Sequence, residues 1–379
     1  MDSGSNVQDE DTEEEQLYDE QIPSIFADKP PGVCIAYFNG PWLPMSYAQR
    51  FVNYSHALQY PLQILEILER RKRIVEAILD LTKPKQELLF DNRESRLESL
   101  FDELLTLREK KRPLYRKWTQ QVGSKERSLS TPQKPLDELL RNYVKEIVLQ
   151  APIHPQAHGG EAGWSTQKSL QQHLPLGTVL SFDLSNAFGN VHSQYVFDFF
   201  YRLFESVDED TRVDLSGFLT HLTTTIYGDY IIPSLPQGSP LSMSLFNRIF
   251  YPVDELFYKS ACKRNLRYTR WVDDLIISAA ESNRRPTKIL GAVSIVREDF
   301  PLAPNKLFFQ QDLPYYYLLG HKILGNMIIK VDKEEAKQRG EPLDVRLIRN
   351  RRENMWIDDY GEFEDEQEQD SFFDAEVPF

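Results

Sequence analysis

Three aspartates are the residues of this 379-residue chain best placed to do chemistry. Asp183 follows the apolar run TVLSF, and Asp273 and Asp274 stand side by side in RYTRWVDDLIISA, between two short apolar runs. Taken singly, an acid after a strand is a helix cap or turn residue, and an Asp pair at a hairpin tip serves the turn. Taken together, a strand-end carboxylate and a carboxylate in the turn of an adjacent hairpin build a cage for divalent cations. Two such ions about 4 Å apart suit nucleotidyl transfer: one activates a 3′-hydroxyl, and the other holds the triphosphate and leaving group. Mg2+ takes a few carboxylates together with phosphate oxygens and water, and the main-chain carbonyl of Leu184 would add one more oxygen. A second short motif, LPQGSPLSMSLFN, places Gln237 and Gly238 in a Pro-flanked turn before a helix. By itself that turn is an ordinary loop.

The elements that must position these residues are readable from periodicity. Apolar residues recur at helical spacing from Gln59 to Leu81, interrupted by RRKR (Arg70 to Arg73), and again from Glu94 to Lys110. Residues 112–135 are polar and basic with turn signals, and a helix is expected over 136–149. Thr178 to Phe182 reads as a short buried strand. Helices are expected over 193–205, over 211–227, from the Gln-Gly turn to about Lys263, and near 286–298. A hairpin spans 267–279, and further strands are expected near 306–310 and 315–330. Helices and strands mix without strict βαβ alternation, which predicts an α+β fold around an antiparallel sheet.

Composition narrows the function classes. The formal net charge is −14, but residues 1–20 carry nine acids and residues 353–379 carry eleven, with no Lys or Arg in either tail. The intervening residues 21–352 therefore carry +6, which is compatible with a polyanionic partner, while the tails read as solvated acidic runs. Two cysteines, Cys34 and Cys262, exclude a disulfide framework and a multi-cysteine zinc site and fit a reducing cytoplasm. His154, His158, His173 and His192 show no paired ligand spacing. No apolar run approaches the ~20 residues of a membrane span, and the N-terminus is unlike a signal peptide.

The order of these motifs resembles that of the reverse transcriptases, in particular the bacterial enzymes related to retron and group II intron proteins. FDLSNAFGNV is similar to their catalytic block, LPQGSPLS to their Gln-Gly block and RYTRWVDDLIIS to their Asp-Asp block. YRKWTQQVGSKERSLSTP and HGGEAGWS resemble their fingers segments, APNKLFF the block with a lysine near the triphosphate, and YLLGHKI the primer-grip strand. The resemblance covers roughly residues 112–330. It implies a right-hand polymerase fold with palm, fingers, a short or reduced thumb and a helical N-terminal extension. The implied division is an acidic tail (1–20), the extension (21–111), fingers (112–178) and palm (179–320, with part of the fingers between 193 and 232). The primer-grip end and short thumb follow (321–352), then a second acidic tail (353–379).

Carried over residue by residue, the resemblance makes Asp183, Asp273 and Asp274 catalytic and places them, with Leu184, around two Mg2+ ions, with Mn2+ as a substitute. Phe188 stands at the steric gate against the sugar 2′ position, which implies dNTPs. Gln237 and Gly238 line the nucleotide pocket, Arg127 and Lys125 meet the triphosphate, Lys306 meets the leaving pyrophosphate, and Leu319 and Gly320 belong to the primer grip. The implied partners are an RNA template or noncoding RNA, dNTPs and the DNA product, without a membrane, and with a second copy or a partner protein as further candidates. The sequence departs from the pattern at Trp271, where relatives carry Tyr, and at Met243, where many carry Pro. SLQQH keeps only the His of a retron signature, and YLLGHKI lacks the retron Val-Thr-Gly, departures that suggest a separate, phage-defence-associated lineage. The expected function is RNA-directed DNA synthesis in antiviral defence. Untemplated or protein-primed DNA synthesis on the same fold, and a catalytically inactive RNA-binding module, remain as alternatives.

Overall fold

A four-stranded antiparallel sheet occupies the centre of the computed structural model, which describes residues 61–82, 90–122, 125–226, 233–281, 302–311, 313 and 315–331. Before the sheet, helix α1 (Leu68–Leu81) and helix α2 (Phe90–Glu109) precede a hairpin of β1 (Tyr115–Val122) and β2 (Lys125–Pro132). A segment of α3 (Lys134–Leu139), one π-turn and α4 (Lys145–Val148) leads through a loop and α5 (Thr166–Gln171) into β3 (Thr178–Leu184). Next come α6 (Ala187–Asn190), α7 (Ser193–Leu203), α8 (Glu209–Thr223), α9 (Ser242–Ile249) and α10 (Tyr251–Lys263). Strands β4 (Arg267–Trp271), β5 (Asp274–Ala279) and β6 (Leu302–Gln311) complete the central sheet in the order β4-β5-β3-β6. A three-stranded meander closes the described part: β7 (Tyr316–Leu318), β8 (His321–Leu324) and β9 (Met327–Lys330).

Alternation along β3 decides which face does what. Leu180, Phe182 and Leu184 enter the large helical core, where Phe182 meets Phe257 of α10 with ring centroids 5.8 Å apart. Val179 points the other way. It joins Ile276, Leu170, Tyr316, Leu318 and Ile323 in a smaller cluster under the β7–β9 meander. By the same alternation Asp183 lies on the Val179 face, away from the helical core.

Several expected elements differ in detail. The helix expected to run unbroken to Lys263 is divided at Phe250, because Pro252 sits in the first turn of α10 and cannot continue the preceding hydrogen-bond ladder. The helix expected from Gln59 begins only at Leu68, after a 3-10 turn at Gln63–Glu66. RRKR, which interrupts the apolar stripe, lies inside α1: Arg71 pairs with Glu98 and Asp102 of α2, and Arg73 with Asp214 of α8. The polar stretch 112–135 is a regular hairpin in which Tyr115 pairs with Pro132 and Val122 with Lys125. The helix expected near 286–298 and both acidic tails lie outside the described residues.

Helices α1 and α2 share the core of the rest of the chain. Ile74, Ile78, Leu97, Leu100, Phe101 and Leu104 are fully buried, and Phe101 meets Phe218 of α8 edge-on at 5.4 Å. Phe101→Ala should therefore destabilise the whole chain by roughly 3–5 kcal/mol, the range for a buried aromatic truncation. Denaturant unfolding checks this; a loss near zero would show that α2 folds apart from the core.

Candidate active site

The turn joining β4 to β5 carries the paired aspartates. Trp271 pairs with Asp274, leaving Val272 and Asp273 as a two-residue turn. Val272 has φ 60°, a conformation that a β-branched side chain disfavours. Its carbonyl accepts a 2.8 Å hydrogen bond from Nη1 of Arg270. The Arg270 guanidinium is fully buried and forks onto Asp254 of α10, Nε to Oδ1 and Nη2 to Oδ2, both at 2.7 Å. The Tyr268 hydroxyl donates to the same Asp254 at 2.6 Å.

Strand register brings the backbones that carry the three aspartates side by side. Asp183 of β3 stands opposite Asp274 of β5, and the backbone N–H of Leu184 donates to the Asp273 carbonyl at 3.0 Å. That bond places Asp183 and Asp274 in a non-hydrogen-bonded antiparallel pair, the type whose side chains approach most closely on one face. Asp183 is buried, and Asp273 and Asp274 are half-buried. Asp274 is pushed up to about 7, first by burial and then by the charge of Asp273. Burial also raises Asp273, against the opposing pull of its own backbone N–H, Arg127 and Arg270.

A set of partly desolvated carboxylates, two of them, Asp273 and Asp274, with raised proton affinity, suits divalent cations. Among the described residues, however, no three such side chains are already closed around an ion-sized space. Divalent cations held here would draw the rest of their shell from phosphate oxygens and water. The residues that would hold them are Asp183 and Asp273, with Asp274 and the Leu184 carbonyl beside them.

The remaining candidates fall at different places. Arg127 is exposed on β2, and its positive charge reaches Asp273. The Gln237 carbonyl accepts from the Ser130 backbone N–H at 2.7 Å, which ties the hairpin to the Gln-Gly turn. Gly238 has φ 109°, and a Cβ there would lie 3.2 Å from the Ser130 carbonyl oxygen, so both conformation and contact favour glycine. Phe188 is half-buried on α6, with its ring 5.5 Å from Phe246. Leu319 (φ 48°) and Gly320 (φ 73°) form the tight turn between β7 and β8. Lys306 lies on β6 beside β3, where the register shifts between Phe182 and Leu184. The side chains of Lys306 and Lys125 lie outside the described residues.

The model of the family described as "Reverse transcriptase (RNA-dependent DNA polymerase)" matches residues 120–312, half of the chain and every candidate residue except Leu319 and Gly320. The chain belongs to the reverse transcriptase family. Its relatives include the retron Se72 reverse transcriptase of Salmonella heidelberg (strain 579083-10), 24% identical over 196 residues, covering 51% of this chain and 49% of that protein. The retron Mx162 reverse transcriptase of Myxococcus xanthus is 26% identical over 178 residues, covering 43% and 35% respectively. The retron Ec86 reverse transcriptase of Escherichia coli is 30% identical over 168 residues, covering 44% and 49%. The chain thus spans about half the length, or less, of the curated relatives it matches. The likeness is to bacterial retron-type reverse transcriptases, even though the retron signatures noted above are incomplete. No helix among the described residues is long and apolar enough to cross a membrane.

Sequence reasoning did not find Arg270, Asp254, Asn247 or Gly159, which surround the Val272–Asp273 turn. A signal was present: Arg270 shares a face of β4 with the aromatic Tyr268 by strand alternation, and Asp254 lies within YPVDELF at the apolar start of α10. Opposite charges in two buried elements call for each other.

The raised Asp274 has a thermodynamic consequence. An unfolded Asp titrates near 3.9, whereas the folded Asp274 holds its proton to about 7. Between these values the folded state binds more protons, so without metal this group makes stability fall as pH rises from about 4 to 7. Asp274→Asn should remove that component, so the variant should gain stability over the wild type at pH 8 relative to pH 4. Thermal melts of both metal-free proteins check this; parallel pH profiles would contradict it.

Proposed function

We propose that the chain is an RNA-directed DNA polymerase that extends a 3′-hydroxyl with dNTPs using two Mg2+ ions. The observation that carries this reading is the register of Asp183 against Asp274, with Asp273 in the adjoining turn. When bound, the ions would supply an activated 3′-hydroxyl and charge neutralisation on the triphosphate. The chain's own residues orient and select. Asp183 and Asp273 would hold the ions, while Arg127, whose charge already reaches this site, would present its planar donors to the triphosphate. Gln237 and Gly238, held by β2, would line the nucleotide and templating base. Phe188 would set its ring against the sugar and exclude a 2′-hydroxyl. Lys125 and Lys306 are assigned to the phosphates, and Leu319 and Gly320 to the primer end.

Family membership and the retron-type relatives support an RNA template, with a noncoding RNA as the natural candidate, and a role in antiviral defence inside the bacterial cell. The test is incorporation of dNTPs by purified protein with its copurifying RNA and Mg2+, followed by sequencing of the product. The product should be complementary to that RNA. DNA matching no RNA would transfer the assignment to untemplated or protein-primed synthesis, and no incorporation with either Mg2+ or Mn2+ would leave an RNA-binding module. Asp183→Ala and Asp273→Ala should each reduce synthesis to background while melting close to the wild type; activity surviving either would refute the two-metal assignment. Phe188→Val should admit ribonucleotides, measured as the ratio of kcat/KM for dNTP over rNTP. An unchanged ratio would remove the gate.

A further inference from the structure

The geometry points to Arg270 as a positioning residue: with Asn247 and Gly159 it forms a closed clamp around the Val272–Asp273 turn and sets the carboxylates that would hold the metal ions. The inference rests on the two-metal reading of this site and assigns its supports. The turn does not hold itself, because Val272 adopts φ 60°, which its own side chain opposes. An outside constraint must keep it there.

Arg270 supplies that constraint from within the fold. Nε and Nη2 are taken up by Asp254, and Nη1 divides between Asn247 Oδ1 at 3.0 Å and the Val272 carbonyl at 2.8 Å. The guanidinium carbon also lies 5.1 Å and 4.9 Å from the ring centroids of Phe246 and Phe250. With both Asp254 bonds made and aromatic rings close by, the planar fork has little freedom to turn. The Nη1 bonds reach toward the catalytic turn.

A loop constrains the turn further. The backbone of Arg270 donates to the Gln156 carbonyl at 2.8 Å and accepts from the His158 N–H at 2.9 Å, so residues 156–158 run along the edge of β4. Gly159 then lies against the turn: a Cβ there would fall 2.3 Å from the Val272 nitrogen and 2.9 Å from the Trp271 carbonyl carbon. Asn247 links both sides. Its Nδ2 donates to the Gly159 carbonyl at 2.9 Å and to Glu161 at 2.8 Å, while its Oδ1 accepts from Arg270. Arg270, Asn247, Gly159 and Val272 thus form a closed circuit of contacts that includes the backbone bearing Asp273.

Three variants test the clamp: Arg270→Gln combined with Asp254→Asn, which leaves no unpaired buried charge; Arg270→Lys; and Gly159→Ala. Each is titrated with Mn2+ alone by electron paramagnetic resonance, assayed for kcat and for the KM of dNTP, and melted. In folded variants the clamp predicts 10–100-fold weaker Mn2+ binding, the usual effect of disturbing the partners of metal ligands. kcat should fall by a comparable factor, with the KM of dNTP within about twofold. Arg270→Lys should remain impaired, since an ammonium cannot reproduce the four bonds; full recovery would show that charge alone suffices and would reject the clamp. If the Arg270 variants do not fold, Gly159→Ala decides, because it keeps every charge paired. Wild-type Mn2+ affinity in Gly159→Ala overturns the inference. A wild-type protein that binds Mn2+ but makes no DNA would defeat the polymerase assignment alone, since the metal titration still tests the clamp.

Discussion

Like charges must be held together before any ion arrives to neutralise them. In this structure the burden falls on Asp183, Asp273 and Asp274, brought to one end of a sheet where water is thin. The closer of the two antiparallel pair types puts Asp183 and Asp274 near each other on one face. Burial, and after it the charge of Asp273, pushes Asp274 up to about 7. Such a site stores affinity for cations as unfavourable electrostatics, and the surrounding scaffold must hold that arrangement firmly.

The scaffold does so by giving the two faces of β3 different tasks. Its even-numbered residues anchor the strand in the helical core, while its odd-numbered residues turn toward the smaller cluster under the β7–β9 meander. Asp183 and Asp274 lie on this second face. The hairpin of β1 and β2 is fastened to the Gln-Gly turn through Ser130 and Gln237, and it brings the charge of Arg127 to bear on Asp273. The β1–β2 hairpin, the Gln-Gly turn and the aspartates are therefore linked through a backbone contact as well as through charge.

The family match begins at residue 120, yet α1 and α2 precede it and belong to the same core. Arg71 and Arg96 tie α1 to α2 and α2 to α3 through carboxylates at Glu98, Asp102 and Glu138. The N-terminal helices thus extend the packing surface of the family-matched core and support α8 by contact of Phe101 with Phe218.

Much of the site was legible in the sequence because its chemistry is local. An acid at the end of an apolar run, an Asp pair at a hairpin tip and a glycine in a Pro-flanked turn each follow from short-range rules of strand and turn formation, and their order along the chain pointed to the family. The break at Phe250 was also written in the sequence, at Pro252, but was masked by the apolar pattern continuing through it. What the sequence could not decide was which residues meet across long separations. The pairing of Asp183 with Asp274, the fork of Arg270 on Asp254 and the approach of Gly159 to Val272 depend on strand register and on how α9 and α10 pack against the sheet. Short-range patterns specify which face of an element is apolar; only the assembled core, where burial makes an unpaired charge costly and leaves no room for a Cβ, selects the partner.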